Sequence, residues 1–428
     1  MIIFSLFAIC FLSYLIILVS LPVQIFPEFF FYPWLVSKGL VQYLSFFDHH
    51  GFLTSILLAP FSQNLSSLST IFVVTQLVQF AIIAYLVARK IKKPLLYFLI
   101  LILYLSFQFT VVQQQLWYDA GMAFFLVIAW LFFEIRREHF TWLFVALATM
   151  IKPTAFLFLI PVFIKSTRKK SIAVFLLAWD VAIVYFISLR ALDRLWRQMI
   201  VFNYSYIQST YKTFFLGIQL KLLLSICVIF GLLLLYLYKK KYKNIPLLLM
   251  TLISFTFFFQ GLSKLNFALF VPFFILLVAD VLNTKKIRKV VWIVLLIFSL
   301  IILRDAYKTF KDNQKRQVYL SSSVIKEAKQ VGSLMPGKNE ENVLVVGNRV
   351  ELYYYLDALP HEFTPLHFPW VQRVYNRPVD LTGVLYIIVP KKMGEYESLT
   401  PQVKKALTAH FKQTGQTASY TIWRYNKE

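Results

Sequence analysis

The chain has 428 residues, of which 59% are hydrophobic and 15% are charged, and its formal net charge is +24. This composition excludes a water-soluble globular protein, because a single hydrophobic core cannot bury so much apolar surface, and it predicts a multispan membrane protein. The Lys and Arg residues form short clusters between apolar segments and not one basic surface, so we expect no nucleic-acid partner.

Ten apolar segments follow one another along the chain, each close to the roughly 20 residues that a membrane-spanning helix needs. They lie at about 2 to 22, 66 to 88, 95 to 111, 120 to 133, 140 to 164, 171 to 191, 214 to 238, 245 to 260, 266 to 282 and 290 to 303. The first has no basic residues before it and no small-residue cleavage site, so we interpret it as a span and not as a signal peptide. Cys10 and Cys227 lie inside apolar segments and predict no disulfide framework.

Basic clusters between the apolar segments predict the topology, since Lys and Arg mark cytoplasmic loops. The clusters at 136 to 137 and 165 to 170 flank one apolar segment. Both clusters can be cytoplasmic only if that segment enters the membrane and returns. We therefore predict two short helices, 140 to 151 and 154 to 164, which turn at Lys152-Pro153-Thr154. The N-terminus is then cytoplasmic, and the outward-facing loops are 23 to 64, 112 to 119, 192 to 213 and 261 to 265.

The sequence after Arg304 is predicted to lie on the extracytoplasmic side. Strand-like segments alternate there with helix-like ones, which predicts a small α/β domain. The strands are expected at 343 to 346, 385 to 389 and 419 to 423, and the helices at about 314 to 335, 351 to 356 and 400 to 413. The expected domains are a transmembrane catalytic domain, 1 to 304, with its first extracytoplasmic loop at about 23 to 64, and an extracytoplasmic domain, 305 to 428.

Ionisable residues at the predicted outer face are the candidates for chemistry. They are Glu28, Lys38, Asp48, Asp119, Lys152 and Lys264. A carboxylate in an aromatic loop close to hydrocarbon costs several kcal/mol, so we expect it to have a function. A carboxylate can act as general base toward a hydroxyl, while lysine and imidazole side chains can bind a departing phosphate. This combination of acidic and basic side chains suits a reaction in which an alcohol attacks a carbon that carries a phosphate leaving group.

The first loop resembles that of the membrane glycosyltransferases with the C-type (GT-C) fold, and more narrowly the bacterial family related to protein O-mannosyltransferases and lipid A aminoarabinose transferases (glycosyltransferase family 39-like). The matching residues are Pro27-Glu28, Tyr32, Lys38-Gly39, Tyr43 and Phe47-Asp48-His49-His50-Gly51. Met150 through Thr154 resembles the family's turn between short helices, and Lys264 through Pro272 its outer basic residue and aromatic helix. Many relatives have Asp-Glu in place of Pro27-Glu28, and Arg in place of Lys264.

The resemblance implies a polytopic α-helical membrane protein with about ten or eleven transmembrane helices. It implies an inverting enzyme of the plasma (inner) membrane that transfers a sugar from a polyprenyl-phosphate-linked donor to a hydroxyl of a glycan, glycolipid or protein. Glu28 would be the general base, and Asp48 would shape the donor sugar or substitute as base. The implied donor-phosphate ligands are His50, Lys152 and Lys264, and the implied sugar or acceptor ligands are Asp119, Tyr32 and His49.

The sequence requires no cofactor and assigns no metal ligand, although a divalent metal ion bound by Asp48 and a histidine stays an alternative. Because adjacent side chains usually point apart, at most one of the two histidines is expected to face the site. Glu28 can also cap a helix, and Asp48 can be the N-cap of a helix that begins near Gly51. Other functions left open are a transporter or flippase of lipid-linked sugars, a glycan polymerase or ligase with a diphosphate-linked donor, and a non-catalytic relative that binds polyprenyl phosphate.

Overall fold

The computed structural model of the protein describes residues 1–109, 115–164, 166, 168–205, 231, 244–259, 267–283, 322–339, 341–347, 349–360, 381–392 and 401–426. These residues form two compact units. Unit 1 takes its residues from Met1–Gln24, Ser69–Leu189 and Ile207–Arg316, and unit 2 from Ile25–Leu68, Arg190–Tyr206 and Gln317–Glu428. Several predicted features lie outside the described residues: Lys264 with its loop, Cys227, the span at 214 to 238 except residue 231, the span at 290 to 303, and the first part of the helix expected from 314.

The described helices are, in chain order, α1 (Ile2–Ser20), α2 (Pro27–Ser37), α3 (Leu53–Leu58), α4 (Leu65–Lys90), α5 (Pro94–Phe107), α6 (Tyr118–Glu134), α7 (Glu138–Ile151), α8 (Leu159–Phe163), α9 (Lys169–Ser188), α10 (Leu192–Trp196), α11 (Ile245–Phe259), α12 (Phe267–Asn283), α13 (Ser322–Ser333), α14 (Val350–Leu356) and α15 (Pro401–His410). The strands are β1 (Gln24–Ile25), β2 (Gln115–Leu116), β3 (Val343–Val345), β4 (Tyr386–Pro390), β5 (Phe411–Gln416) and β6 (Tyr420–Tyr425). Short 3₁₀ helices span Ala59–Phe61 and Pro153–Phe158, and a π-helical turn spans Arg197–Phe202.

Unit 1 is built from apolar helices. Within the described ranges, α1, α4 and α9 are long and apolar enough to cross a membrane, and α5, α7, α11 and α12 are shorter apolar helices. A buried polar side chain joins α4 to α5: the Gln79 amide donates to the Tyr104 hydroxyl at 3.0 Å, and the Gln108 amide at the end of α5 donates to the same hydroxyl at 2.8 Å. Such bonds contribute to helix association where apolar side chains have no water to leave.

The segment predicted to turn back at Lys152-Pro153-Thr154 does so. Helix α7 ends at Ile151, and Lys152 is extended, with φ −147° and ψ 123°. Pro153 causes this break, because it has no N–H to donate and disfavours helical backbone in the residue before it. The returning part is a 3₁₀ helix followed by α8, a less regular structure than the predicted second helix. Ser166 then donates to Glu138 Oε2 at 2.8 Å, so the two ends of the segment meet.

Ion pairs mark the two ends of α6. At its C-terminal end, Lys90 bonds to Asp280 and lies 4.0 Å from Glu134 Oε1, which brings the ends of α4, α6 and α12 together. At its N-terminal end, Asp119 binds Lys152. The rise of an α-helix separates Asp119 from Glu134 by roughly 22 Å. The predicted topology assigns the first end to the cytoplasm and the second to the outer face.

Unit 2 contains a four-stranded sheet in the order β3-β4-β6-β5, in which β3 and β4 are parallel and the other pairs antiparallel. The sheet packs its apolar face on α15, with Leu344, Ile387 and Leu407 in one buried cluster. The predicted α/β tail is therefore confirmed. One boundary was wrong: the last helix ends at His410 and not near 413, because Phe411–Gln416 pairs as a strand with β6.

The first loop and the tail pack together in unit 2 through aromatic side chains of α2 and α14. The Tyr354 ring lies 5.6 Å from Phe30 and 5.8 Å from Trp34, and Tyr353 stacks on Phe31 at 6.0 Å. The Tyr354 hydroxyl donates to the carbonyl oxygen of Ser62 at 2.9 Å. Helix α2, which carries Glu28, is thus held by the tail. A division of the chain at residue 304 into a membrane and an extracytoplasmic domain stays a prediction.

Tyr354→Phe is expected to lower the free energy of unfolding by about 1 kcal/mol, because it removes the bond to Ser62 and leaves the ring contacts. The matched control is Tyr355→Phe. The Tyr355 hydroxyl is buried with no hydrogen-bond partner among the described residues, so its removal should be neutral or stabilising. Thermal denaturation of the detergent-purified variants measures both effects. Equal melting-temperature shifts for the two variants would contradict the assigned hydrogen bond.

Candidate functional site

Glu28 lies in the first turn of α2. Phe26 is extended and occupies the N-cap position, and Pro27 begins the helix with a φ suited to it. Glu28 therefore follows the cap and does not form it. Its side chain is only 4% exposed. The aromatic neighbours in α2 exclude water from this turn, so the sequence that makes the loop apolar also buries its acid.

Burial raises the pKa of the Glu28 carboxyl to about 7, since an ionised carboxylate loses its hydration there. Its own backbone N–H acts in the opposite direction, and the negative charge of Asp48 raises the pKa further. Glu28 Oε2 has no hydrogen-bond partner in the part of the chain that the structure describes. A carboxylate with an available oxygen and a pKa near neutral is suited to general base catalysis.

Asp48 is buried and fully hydrogen-bonded. Its Oδ1 accepts from the backbone N–H of His50 at 2.9 Å and lies 3.0 Å from His50 Nδ1, and its Oδ2 accepts from the Gln42 amide at 2.9 Å. Asp48 is not the N-cap of the following helix, because α3 begins at Leu53 with Phe52 at that position. The alternative interpretation of Asp48 as a helix N-cap was therefore wrong.

The two histidines lie side by side, with ring centroids 3.9 Å apart. The expectation that they point in opposite directions was wrong, because alternation holds for extended strands and residues 48–50 are in no strand. His50 Nδ1 lies next to the Asp48 carboxylate, which favours a proton on this ring nitrogen. His49 is half-buried and also packs against Phe202.

Asp48, His49 and His50 also form a group suited to a metal ion. One ligand atom from each lies within 4.8 Å of the others. A carboxylate and two imidazoles are a donor set that Zn²⁺ accepts in catalytic sites. The residues thus fit a divalent ion by their chemistry, although Asp48 Oδ1 here accepts hydrogen bonds from His50.

Tyr32 lies in the same acidic surroundings. Its ring stacks on Phe46 at 5.1 Å. Burial, and then the charges of Asp48 and Glu28, raise the pKa of the Tyr32 hydroxyl well above its usual range. The structure thus brings Glu28, Tyr32, Asp48 and the two histidines into one region of unit 2.

Two predicted site residues meet within unit 1. Lys152 Nζ bonds to both carboxylate oxygens of Asp119, at 2.9 and 3.0 Å. Asp119 is completely buried, and the Lys152 side chain is 18% exposed. The pair lies where α6 begins and the returning segment turns. Thr154 Oγ1, two residues farther on, is buried and lacks a hydrogen-bond partner within the ranges given above.

Neither a family description nor a curated protein sequence matches the chain. A similar solved structure is that of ArnT from Cupriavidus metallidurans bound to undecaprenyl phosphate, with a TM-score of 0.62 over 99% of this chain and 98% of that one. The two sequences are 11% identical, so the likeness concerns the fold and not the reaction. The protein is a mostly helical membrane protein with the GT-C fold of ArnT, as the resemblance of its first loop predicted.

Proposed function

We propose that the protein is an inverting membrane glycosyltransferase that moves a sugar from a polyprenyl-phosphate-linked donor to an acceptor hydroxyl. The observation that carries the proposal is the state of Glu28: a buried carboxyl with a pKa of about 7 and an oxygen without a partner in the described structure. A buried carboxyl in this loop is suited to take a proton from an acceptor hydroxyl. The undecaprenyl phosphate in the ArnT structure supports a polyprenyl phosphate as the lipid part of the donor.

The reaction is a single displacement. Glu28 takes the proton of the acceptor hydroxyl as the hydroxyl oxygen attacks the anomeric carbon. The bond from that carbon to the phosphate oxygen breaks, and the phosphate leaves on its polyprenyl chain. A base with a pKa near the working pH combines a useful deprotonated fraction with a strong driving force for proton transfer.

Asp48 and His50 would act on the donor. The Asp48 carboxylate, 3.0 Å from His50 Nδ1, stabilises the protonated imidazole. In that form His50 Nε2–H can donate to a phosphate oxygen and stabilise the charge that develops on it. Tyr32 and His49 would bind the sugar or the acceptor through hydroxyl and ring-nitrogen hydrogen bonds. If a divalent ion binds at Asp48 and the histidines, it would supply positive charge for the same phosphate.

Lys152 keeps its predicted role as a ligand of the donor phosphate. An ammonium group has three N–H donors, and the two oxygens of Asp119 leave one for a ligand. Asp119 would orient Lys152, and its proposed contact with sugar hydroxyls would require a rearrangement of this pair. Lys264 stays a proposed phosphate ligand outside the described residues.

We further propose that the protein resides in the plasma (inner) membrane, with a cytoplasmic N-terminus and with the tail and the acidic loop on the extracytoplasmic side. The basic clusters support this orientation. The acceptor would be a glycan, glycolipid or protein that is reached from that side. Mass spectrometry of envelope glycans and glycoproteins in a deletion strain tests the proposal: loss of one sugar supports transfer, whereas accumulation of a lipid-linked sugar without such a loss favours a flippase.

Glu28→Gln is expected to reduce sugar transfer by about 100-fold or more, because Gln keeps the shape of the side chain but cannot accept the proton. The deletion strain complemented with the variant gives the transfer readout, and thermal stabilisation of the purified protein by undecaprenyl phosphate gives lipid binding, which should be preserved. Glu351→Gln is the matched control, since Glu351 is another buried acid of unit 2. Full transfer by Glu28→Gln would remove Glu28 as the base.

The pKa of Glu28 also predicts a pH dependence of stability. Because burial raises this pKa to about 7, the folded protein binds the proton more tightly than the unfolded chain does. The resulting stabilisation is full below the unfolded pKa of about 4.3, and on the order of 3 kcal/mol is lost as the pH rises through 7. Melting temperatures between pH 4.5 and 8 should therefore fall more steeply for the wild type than for Glu28→Gln. Parallel curves would show that the carboxyl titrates normally.

Lys152→Gln is expected to weaken the binding of undecaprenyl phosphate by about 10-fold, the effect of one lost charge-assisted hydrogen bond. Asp119→Asn is the informative partner variant. It keeps the Lys152 charge and removes the carboxylate that neutralises it, so lipid binding should be equal or tighter. Thermal-shift titrations with undecaprenyl phosphate measure both. If both variants lose binding equally, the pair has only a structural role.

A further inference from the structure

A buried amide from a distant part of the chain bonds to the loop that carries Asp48. Gln198 is 2% exposed. Its Oε1 accepts from the backbone N–H of Asp48 at 3.1 Å, and its Nε2 donates to the carbonyl oxygen of Tyr43 at 2.8 Å. Both ends of one planar amide are thus used across 150 residues of sequence. An amide that bonds to two backbone groups in this way fixes the distance between them.

A second amide of the same segment holds the next residue of the loop. Asn203 Nδ2 donates to the carbonyl oxygen of His49 at 2.6 Å and to that of Met199 at 2.7 Å. Between the two amides, the Phe202 ring packs edge-on against Phe47 at 5.0 Å. Three side chains of the segment therefore contact the loop within six residues of one another.

The segment that carries Gln198 and Asn203 has an unusual backbone, which helps to explain its contacts with the loop. Gln198 and Phe202 lie in a π-helical turn, Arg197–Phe202, which follows α10. Such turns are rare, occur mostly as single turns within helices and are frequent at functional sites. The wider turn changes the register of the helix, so that Gln198, Phe202 and Asn203 all reach the loop.

The loop needs such support because residues 47–51 form neither helix nor strand. Its backbone groups bond to side chains instead: Tyr43 donates to the carbonyl oxygen of His50 at 2.6 Å, and Gln198 and Asn203 bind the two residues before it. A backbone without ladder bonds takes the conformation that these side chains impose. The contact between Asp48 and His50 depends on that conformation.

We propose that Gln198 and Asn203 are positioning residues, which hold the loop at Asp48 and His50 in the geometry used to bind the donor phosphate. This inference rests on the proposed function, since the geometry has a catalytic meaning only if these residues act in sugar transfer. Neither amide touches the reacting atoms. Their effect on the reaction passes through Asp48 and His50.

The test uses the full-length protein with Gln198→Leu, which removes both amide bonds at similar volume, and Gln198→Glu, which keeps the acceptor for Asp48. Gln198→Leu should lower kcat about 10- to 100-fold with a smaller change in KM, as removal of a supporting hydrogen bond does, and should change the pH–rate profile. Gln198→Glu should recover part of the loss. The exposed Arg197→Ala is the control within the same turn. Asn203→Leu repeats the test if Gln198→Leu does not fold.

A second measurement does not depend on sugar transfer. The chain has six histidines, so ¹⁵N-histidine labelling with a His50→Gln variant for assignment isolates the His50 signals. Wild-type His50 is expected to show one set of signals with a proton on Nδ1 beside Asp48, and Gln198→Leu is expected to show shifted or broadened His50 signals. Unchanged His50 signals and an unchanged pH–rate profile in a stable Gln198→Leu protein would overturn the inference. Absence of transfer in the wild type, with altered His50 signals in the variant, would overturn the proposed function and keep the positioning role.

Discussion

The burial of the Glu28 carboxyl beside Asp48 is the main constraint on unit 2, because the surrounding structure must hold two acidic side chains close together. Burial deprives the Glu28 carboxylate of hydration and raises its pKa, and the negative charge of Asp48 raises this pKa further. Such a pair persists only if the surrounding structure fixes both chain segments. Aromatic packing of α14 on α2 fixes the first, and hydrogen bonds to His50 and Gln42 fix the second. The unfavourable charge placement is therefore held by the packing and hydrogen bonds of the surrounding chain.

The turn within the apolar segment at 140 to 164 was predictable because its signals are local. Lys and Arg clusters on both sides of one apolar segment, with Pro153 in its centre, require a turn-back, and the structure shows Glu138 and Ser166 in contact. The strand Phe411–Gln416 was not predictable in this way. Its residues alternate poorly and are mostly exposed, so only pairing with β6 makes them a strand. A helix prediction that ends three residues late follows from the same lack of local signal.

The residues of the candidate site also differ in whether the sequence alone could identify them. Glu28, Asp48 and Lys152 could be selected from the sequence because a charge in an apolar membrane protein is conspicuous and costly. Gln42, Gln198 and Asn203 could not, since a neutral amide in a loop has no periodicity and no charge, and its partner lies far along the chain. The side-by-side placement of His49 and His50 likewise depends on an irregular backbone that the sequence does not specify.

Unit 2 is assembled from three separated stretches of sequence, Ile25–Leu68, Arg190–Tyr206 and Gln317–Glu428. Closing contacts between such distant stretches is slow, and the contacts with the third stretch cannot form until α14 has been synthesised. During synthesis Phe30, Phe31 and Trp34 lack their partners in α14, so a nascent or prematurely terminated chain exposes this aromatic face to chaperones and proteases. The order of translation thereby allows Gln198 and Asn203 to bond to the acidic loop before α14 can pack on α2.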